Sequence, residues 1–197
     1  MFATPPVAEQ LILSDNCTTH SAVAQTLSRY GFAALRFALN AGIRVIPLKP
    51  RQRYSDRSSA LCRLGVDVDT WPAPPAGLFV VEEKTVYLRS CSAMTVAHEF
   101  GHALDCALGG GIYRSGVDPR IQSMFHNAKN FVTPYAATAV DEYFAESLRA
   151  YVEANDSKSL WPRVTRMRLR SLDPSMFEFI DALFANELSA QTKRGGN

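Results

Sequence analysis

The chain has 197 residues, near the size of one ordinary domain, and a 47% hydrophobic content gives it enough apolar material for a sizeable core. Lys and Arg total 21 against 19 for Asp and Glu, a net charge of +2, without the basic excess that would make nucleic acid the obvious partner. No run of about eighteen apolar residues can span a bilayer, and the first residues lack a cationic stretch leading into an apolar one, so the expected location is the cytoplasm, or outside after export without a standard signal.

From His20 to Asn40, the residues Val23, Leu27, Tyr30, Ala34, Phe37 and Ala38 recur at intervals of three and four, which predicts an amphipathic helix ended by Gly42. Ile43 to Leu48 reads as a strand closed by Pro47 and Pro50, and Arg51 to Ser59 as a loop. Trp71-Pro72-Ala73-Pro74-Pro75 is extended, because each proline fixes its own φ and restricts its predecessor. Gly77 to Val81 and Thr85 to Arg89 flank Glu82-Glu83-Lys84 as the arms of an antiparallel hairpin. A helix starts at Ser92 and runs to Leu108, where Gly109-Gly110-Gly111 supplies residues suited to a positive-φ C-cap. Further helices are predicted at about 119–129, 139–154, 157–170 and 174–190. The whole is α+β: residues 1–18 as an N-terminal arm, 19–191 as a single domain, and 192–197 as a disordered tail. Cys17, Cys62, Cys91 and Cys106 form no Cys-x-x-Cys pair and read as buried free thiols.

The chemistry concentrates at His98-Glu99-Phe100-Gly101-His102. Val96, Phe100, Ala103 and Ala107 make a helical stripe that can face the core, which leaves His98 and His102 one turn apart with both imidazoles projecting to a common point. Two such nitrogens suit a tetrahedral zinc, and Glu99, offset by about 100° from His98, reaches the space beside the metal, where it can take a proton from a water. A third protein ligand is required. Position 108 is Leu, and Asp105 stands where the longer motif His-Glu-x-x-His-x-x-Gly-x-x-His has Gly, so a third histidine six residues on is excluded. Asp105 is expected to support the site or to act as a helix-end charge, and His126 is a lone histidine expected to be solvated or structural. Glu142 is the strongest candidate for the third ligand. Glu146 lies one turn beyond it on the same helix face, placed to accept the outer N–H of a ligand histidine.

These two blocks, Ala97 to Asp105 and Tyr135 to Glu146, resemble the zinc peptidases related to the anthrax toxin lethal factor, which include the bacterial Pro-Pro endopeptidases. In that family a His-Glu-x-x-His helix is followed by a Tyr, six residues, and Glu-aromatic-Phe-Ala-Glu. Here the pattern is Tyr135, then Ala136 to Asp141, then Glu142-Tyr143-Phe144-Ala145-Glu146. The segment Asp173 to Ile180 is similar to the family's closing Pro-x-x-aromatic-x-Phe-Ile helix. The resemblance implies a zincin-like metallopeptidase fold and one Zn2+ per chain held by His98, His102 and Glu142. It also implies that Glu99 is the general base and that Tyr135 donates a hydrogen bond to the oxyanion.

The expected function is a zinc metalloendopeptidase acting on an extended protein or peptide substrate. Thr85 to Arg89 is expected to form the cleft rim on which that substrate adds as a strand. The alternatives are a regulatory metalloprotease that cleaves an intracellular repressor, and a zinc-stabilised binding module without turnover. Arg163, Arg166, Arg168 and Arg170 form a basic cluster, read as a solvated helix face or a docking surface for an acidic partner. Gly109 to Val117 is glycine-rich and reads equally as a mobile loop near the cleft or an ordinary connector.

Overall fold

The computed structural model describes residues 6–159 and 163–190. Its elements in order are α1 (Val7–Gln10), α2 (Cys17–Leu27), α3 (Gly31–Asn40), β1 (Arg44–Pro47), α4 (Ser59–Leu64), β2 (Gly77–Val80), β3 (Thr85–Leu88), α5 (Ala93–Leu108), α6 (Pro119–Asn127), α7 (Val140–Tyr151), α8 (Arg166–Leu172) and α9 (Pro174–Ala182). The architecture is α+β, with one small mixed sheet in the first half and helices around and after it. Among the described residues no helix is long and apolar enough to cross a membrane.

The single helix expected from His20 to Asn40 is two. Gly31 takes φ +77, a conformation glycine reaches without strain, and a 3-10 turn at Ser28–Tyr30 redirects the chain there. The redirection lets Tyr30 enter the core, where its hydroxyl donates to the Ala97 carbonyl at 2.6 Å and its ring meets Phe100 edge-on. Residues 7–13, set apart in the sequence as an arm, pack into the same core. Leu11 and Ile12 are buried there, and the Leu13 N–H donates to Val45.

The sheet order is β1-β3-β2. β2 and β3 pair antiparallel as the hairpin predicts, and β1 returns parallel on the far side of β3. β3 is therefore the central strand, buried at all four positions, and cannot be the rim on which another strand adds. The free rim is β2. The Ala76 carbonyl accepts the Arg89 N–H, so by antiparallel alternation Gly77 and Phe79 turn their backbone groups away from β3.

α5 begins at a Ser92 N-cap whose Oγ accepts the Thr95 N–H, reinforced by Asp156 accepting from the Met94 N–H. It runs through the centre of the core, with Val96, Ala97, Phe100, Ala103 and Leu104 buried. α7 packs across it, contributing Phe144, Leu148 and Tyr151. Two expectations fail locally. No helix is expected between the loop Arg51 to Ser59 and the extended segment at Trp71, whereas α4 forms there under a Ser58 N-cap; and the helix expected over 157–170 begins only at Arg166, after the Thr165 N-cap. Capping, rather than apolar periodicity, sets both starts. Of the four free cysteines, Cys106 alone is buried, and Cys17 and Cys62 are exposed. The tail 192–197 lies outside the described residues.

Candidate metal centre

His98 and His102 leave α5 on the side facing α7, and Glu142 and Glu146 leave α7 toward them. His98 Nε2 lies 3.1 Å from Glu142 Oε2, His102 Nε2 lies 3.3 Å from the same oxygen, and the two Nε2 atoms are 3.2 Å apart. Three donor atoms thus form a nearly equilateral triangle. Tetrahedral ligands at roughly 2.0–2.1 Å from a zinc ion would stand about 3.3 Å from one another, so the spacing fits that geometry. A second observation agrees: Glu142 Oε2 is buried without an aligned hydrogen-bond donor, so it is directed at a point and not at a partner. These three residues form the group of side chains that can hold a metal ion among the described residues.

The electrostatics attract positive charge. Burial alone would lower the pKa of His98, but the carboxylates of Glu142 and Glu146 beside it override burial and raise it to about 10. Burial pushes Glu142 up, and the neighbouring His102 and His98 hold it below the usual carboxylate range. Glu146 is likewise opposed by burial, yet His98 and Arg149 bring it down to about 2.

Glu146 does not join the triangle. Its Oε1 accepts from His98 Nδ1 at 2.9 Å, and because an ionised carboxylate only accepts, Nδ1 carries the proton and Nε2 faces the triangle. Arg149, 1% exposed, grips both oxygens, Nε to Oε1 at 2.8 Å and Nη2 to Oε2 at 2.7 Å. Thr133 Oγ1 donates to Oε2 at 2.7 Å. The four bonds compensate the carboxylate for burial and fix the direction of the imidazole.

Glu99 stands on α5 beneath β2, so close that a β-carbon on Gly77 would lie 2.5 Å from its Cγ. Burial raises its pKa above the ordinary range, only partly offset by the two histidines, which makes it a better proton acceptor. Tyr135 is 42% exposed at the mouth of the cleft; its hydroxyl donates to Glu142 Oε1 at 2.9 Å, and its ring centroid is 5.5 Å from that of His98. Burial and Glu142 raise its pKa, so the phenol keeps its proton at neutral pH. These residues line a cleft of about 460 Å³ together with Trp71, Phe79, Met94 and Tyr113.

Asp105 does not meet the histidines. It is wholly buried, and its carboxylate accepts the Ser115 N–H at 2.9 Å and the Ser115 hydroxyl at 2.5 Å. It thereby ties down the glycine-rich loop, which carries Tyr113 to within 5.7 Å of the His102 ring, centroid to centroid. Burial raises Asp105 to about 6 against the pull of Ser115 and His102. His126 is exposed on α6 and donates to the Gln122 carbonyl. In the basic cluster, Arg166 donates to the Tyr151 carbonyl and stacks on its ring, and Arg168 donates to the Val132 carbonyl, so two of these cations brace α8 against its neighbours. Arg149 was visible in the sequence only as a cation three residues after Glu146; Thr133 and the β2 edge left no signal.

No protein-family model matches the chain, and no curated protein matches it. Among solved structures, the Pro-Pro endopeptidase PPEP-2 from Paenibacillus alvei matches with a TM-score of 0.64 over 90% of this chain and 99% of that one, at 20% sequence identity. The chain has the zincin-like fold of that endopeptidase.

Proposed function

We propose that this protein is a zinc-dependent metalloendopeptidase. The observation that carries the reading is the triangle of His98 Nε2, His102 Nε2 and Glu142 Oε2, with a buried carboxylate, Glu99, and a half-exposed phenol, Tyr135, on the same cleft. His98, His102 and Glu142 are the residues that would hold the ion. Zinc, when bound, supplies a Lewis acid toward the scissile carbonyl and lowers the pKa of a water. Glu99 accepts the proton of the attacking water and delivers it to the departing amine, a task suited by its raised pKa. Tyr135 exchanges its bond to Glu142 for one to the carbonyl oxygen as that oxygen gains charge. Glu146, held by Arg149 and Thr133, keeps His98 oriented throughout.

The free edge of β2 supports an extended peptide or protein segment as substrate. Gly77 and the Phe79 carbonyl present main-chain groups that pair with any sequence, the Phe79 N–H being turned to the Glu99 carboxylate, and Trp71 and Met94 add apolar lining to the cleft. A proline beside the cut bond is the specificity that the likeness to a Pro-Pro endopeptidase suggests. The deciding experiment compares cleavage of a peptide library by wild type and Glu99→Gln, with zinc content measured on both. The amide should retain the metal and lose activity by roughly 100-fold or more; cleavage by Glu99→Gln at the wild-type rate, or none by zinc-loaded wild type, overturns the reading.

A further inference from the structure

Thr133 precedes Tyr135 by two residues and is 1% exposed. Its Oγ1 donates to Glu146 Oε2 at 2.7 Å and accepts the Ala136 N–H at 3.2 Å. A threonine hydroxyl has one proton and two lone pairs, and an ionised carboxylate can only accept. The proton therefore belongs to Glu146, and a lone pair takes the Ala136 amide.

The first of these bonds reaches the carboxylate that orients His98. The second closes the 3-10 turn Tyr135–Ala137, which Pro134 enters at φ −59. One buried hydroxyl so joins the support of a metal-ligating histidine to the turn that carries the cleft tyrosine. Tyr135 is held at its other end by the bond to Glu142 Oε1, and that bond must open for the phenol to reach a substrate oxygen. Once it opens, the backbone anchor is what keeps the ring over the cleft.

We propose that Thr133 is a positioning residue that holds the Tyr135 phenol over the cleft by clamping its turn to Glu146, an inference that rests on the peptidase reading above. Thr133→Val keeps the shape and removes both bonds; Thr133→Ser keeps the hydroxyl. The expected result is a fall in kcat of roughly 10- to 100-fold for Thr133→Val, with KM and zinc stoichiometry little changed and Thr133→Ser close to wild type. In a Tyr135→Phe background Thr133→Val should add less than about twofold, because both changes then remove the same contribution.

A readout independent of turnover is the 13C-tyrosine NMR signal of Tyr135, assigned through Tyr135→Phe. It should shift or broaden in Thr133→Val and return in Thr133→Ser; Thr133→Ala serves the same comparison if valine does not fold. An unmoved Tyr135 signal in a folded Thr133→Val or Thr133→Ala, a wild-type kcat, or full additivity with Tyr135→Phe overturns the proposal. A wild type that cleaves no peptide while the signal moves as expected overturns the peptidase reading and supports the clamp.

Discussion

Gly101 packs against the backbone of Ala145: a β-carbon on the glycine would lie 3.1 Å from the Ala145 Cα and 3.2 Å from its carbonyl oxygen. Gly101 stands between His98 and His102, and Ala145 between Glu142 and Glu146. The two helices therefore touch closely midway between the turns that carry these side chains, where three donor atoms lie within 3.3 Å of one another.

Gly101→Ala should separate the helices by a few tenths of an ångström. Overpacking costs about 1–3 kcal/mol, against which alanine returns about 1 kcal/mol of helix propensity, so a net loss of about 1–2 kcal/mol is expected in denaturant unfolding. Zinc affinity, read by competition with a chelating dye, should fall at least about tenfold because the triangle widens. Unchanged affinity would show that the contact does not set the ligand spacing.

Glu142→Ala should abolish tight zinc binding while leaving the fold intact, since it removes one of the three donors that can hold an ion on this cleft. Metal analysis after dialysis is the check. If this variant holds zinc as firmly as wild type, the carboxylate is not a ligand.

Gly77→Ala is expected to damage catalysis without touching a ligand. The new methyl would meet Glu99 Cγ at 2.5 Å and Thr95 Cγ2 at 2.9 Å, and the carboxylate must move to make room. A displacement of about 1 Å in a reacting group can cost on the order of 100-fold in rate, so kcat should fall by that order with zinc content normal. Wild-type kinetics would mean that Glu99 has slack the structure does not suggest.

Glu83 gives a stability prediction away from the site. Burial would raise its pKa, but the Ala60 amide, the Ser59 and Ser58 hydroxyls and the Tyr87 hydroxyl together bring it down to about 2. A carboxylate depressed on folding contributes stability that is fully present above its unfolded pKa of about 4.3 and is lost as pH falls toward 2. Glu83→Gln should therefore flatten the loss of stability between about pH 4.3 and 2, by on the order of 1 kcal/mol after solvent screening. Parallel acid-unfolding curves for the two proteins would refute this role.

A peptide library with proline scanned on both sides of the scissile bond tests the substrate. Cleavage of extended segments is expected, with proline favoured beside the cut, and free amino acids or small esters should be poor substrates because they cannot pair with the β2 edge. Equal cleavage of proline-free peptides removes the proline preference. Efficient turnover of small esters removes the strand-pairing argument.

The sequence by itself determined which candidate side chains share a helix face. The spacing of His98, Glu99 and His102 is local to one helix, and so is that of Glu142 and Glu146; a 3.6-residue period determines which side chains share a face before any tertiary contact forms. Caps and glycines likewise marked both ends of α5, and the hairpin of β2 and β3 was written in two short apolar runs. What only the tertiary structure decided is everything that depends on which elements become neighbours. Periodicity across Tyr30 and Ala34 continues through Gly31, so the break there is visible only once Tyr30 finds Ala97. β1 returning beside β3 makes β3 central and leaves β2 as the rim, a matter of sheet order that strand propensity cannot express. Asp105 turned to Ser115 rather than to a histidine, and Thr133 and Arg149 met at Glu146, because buried polar groups take the partners that packing brings within reach.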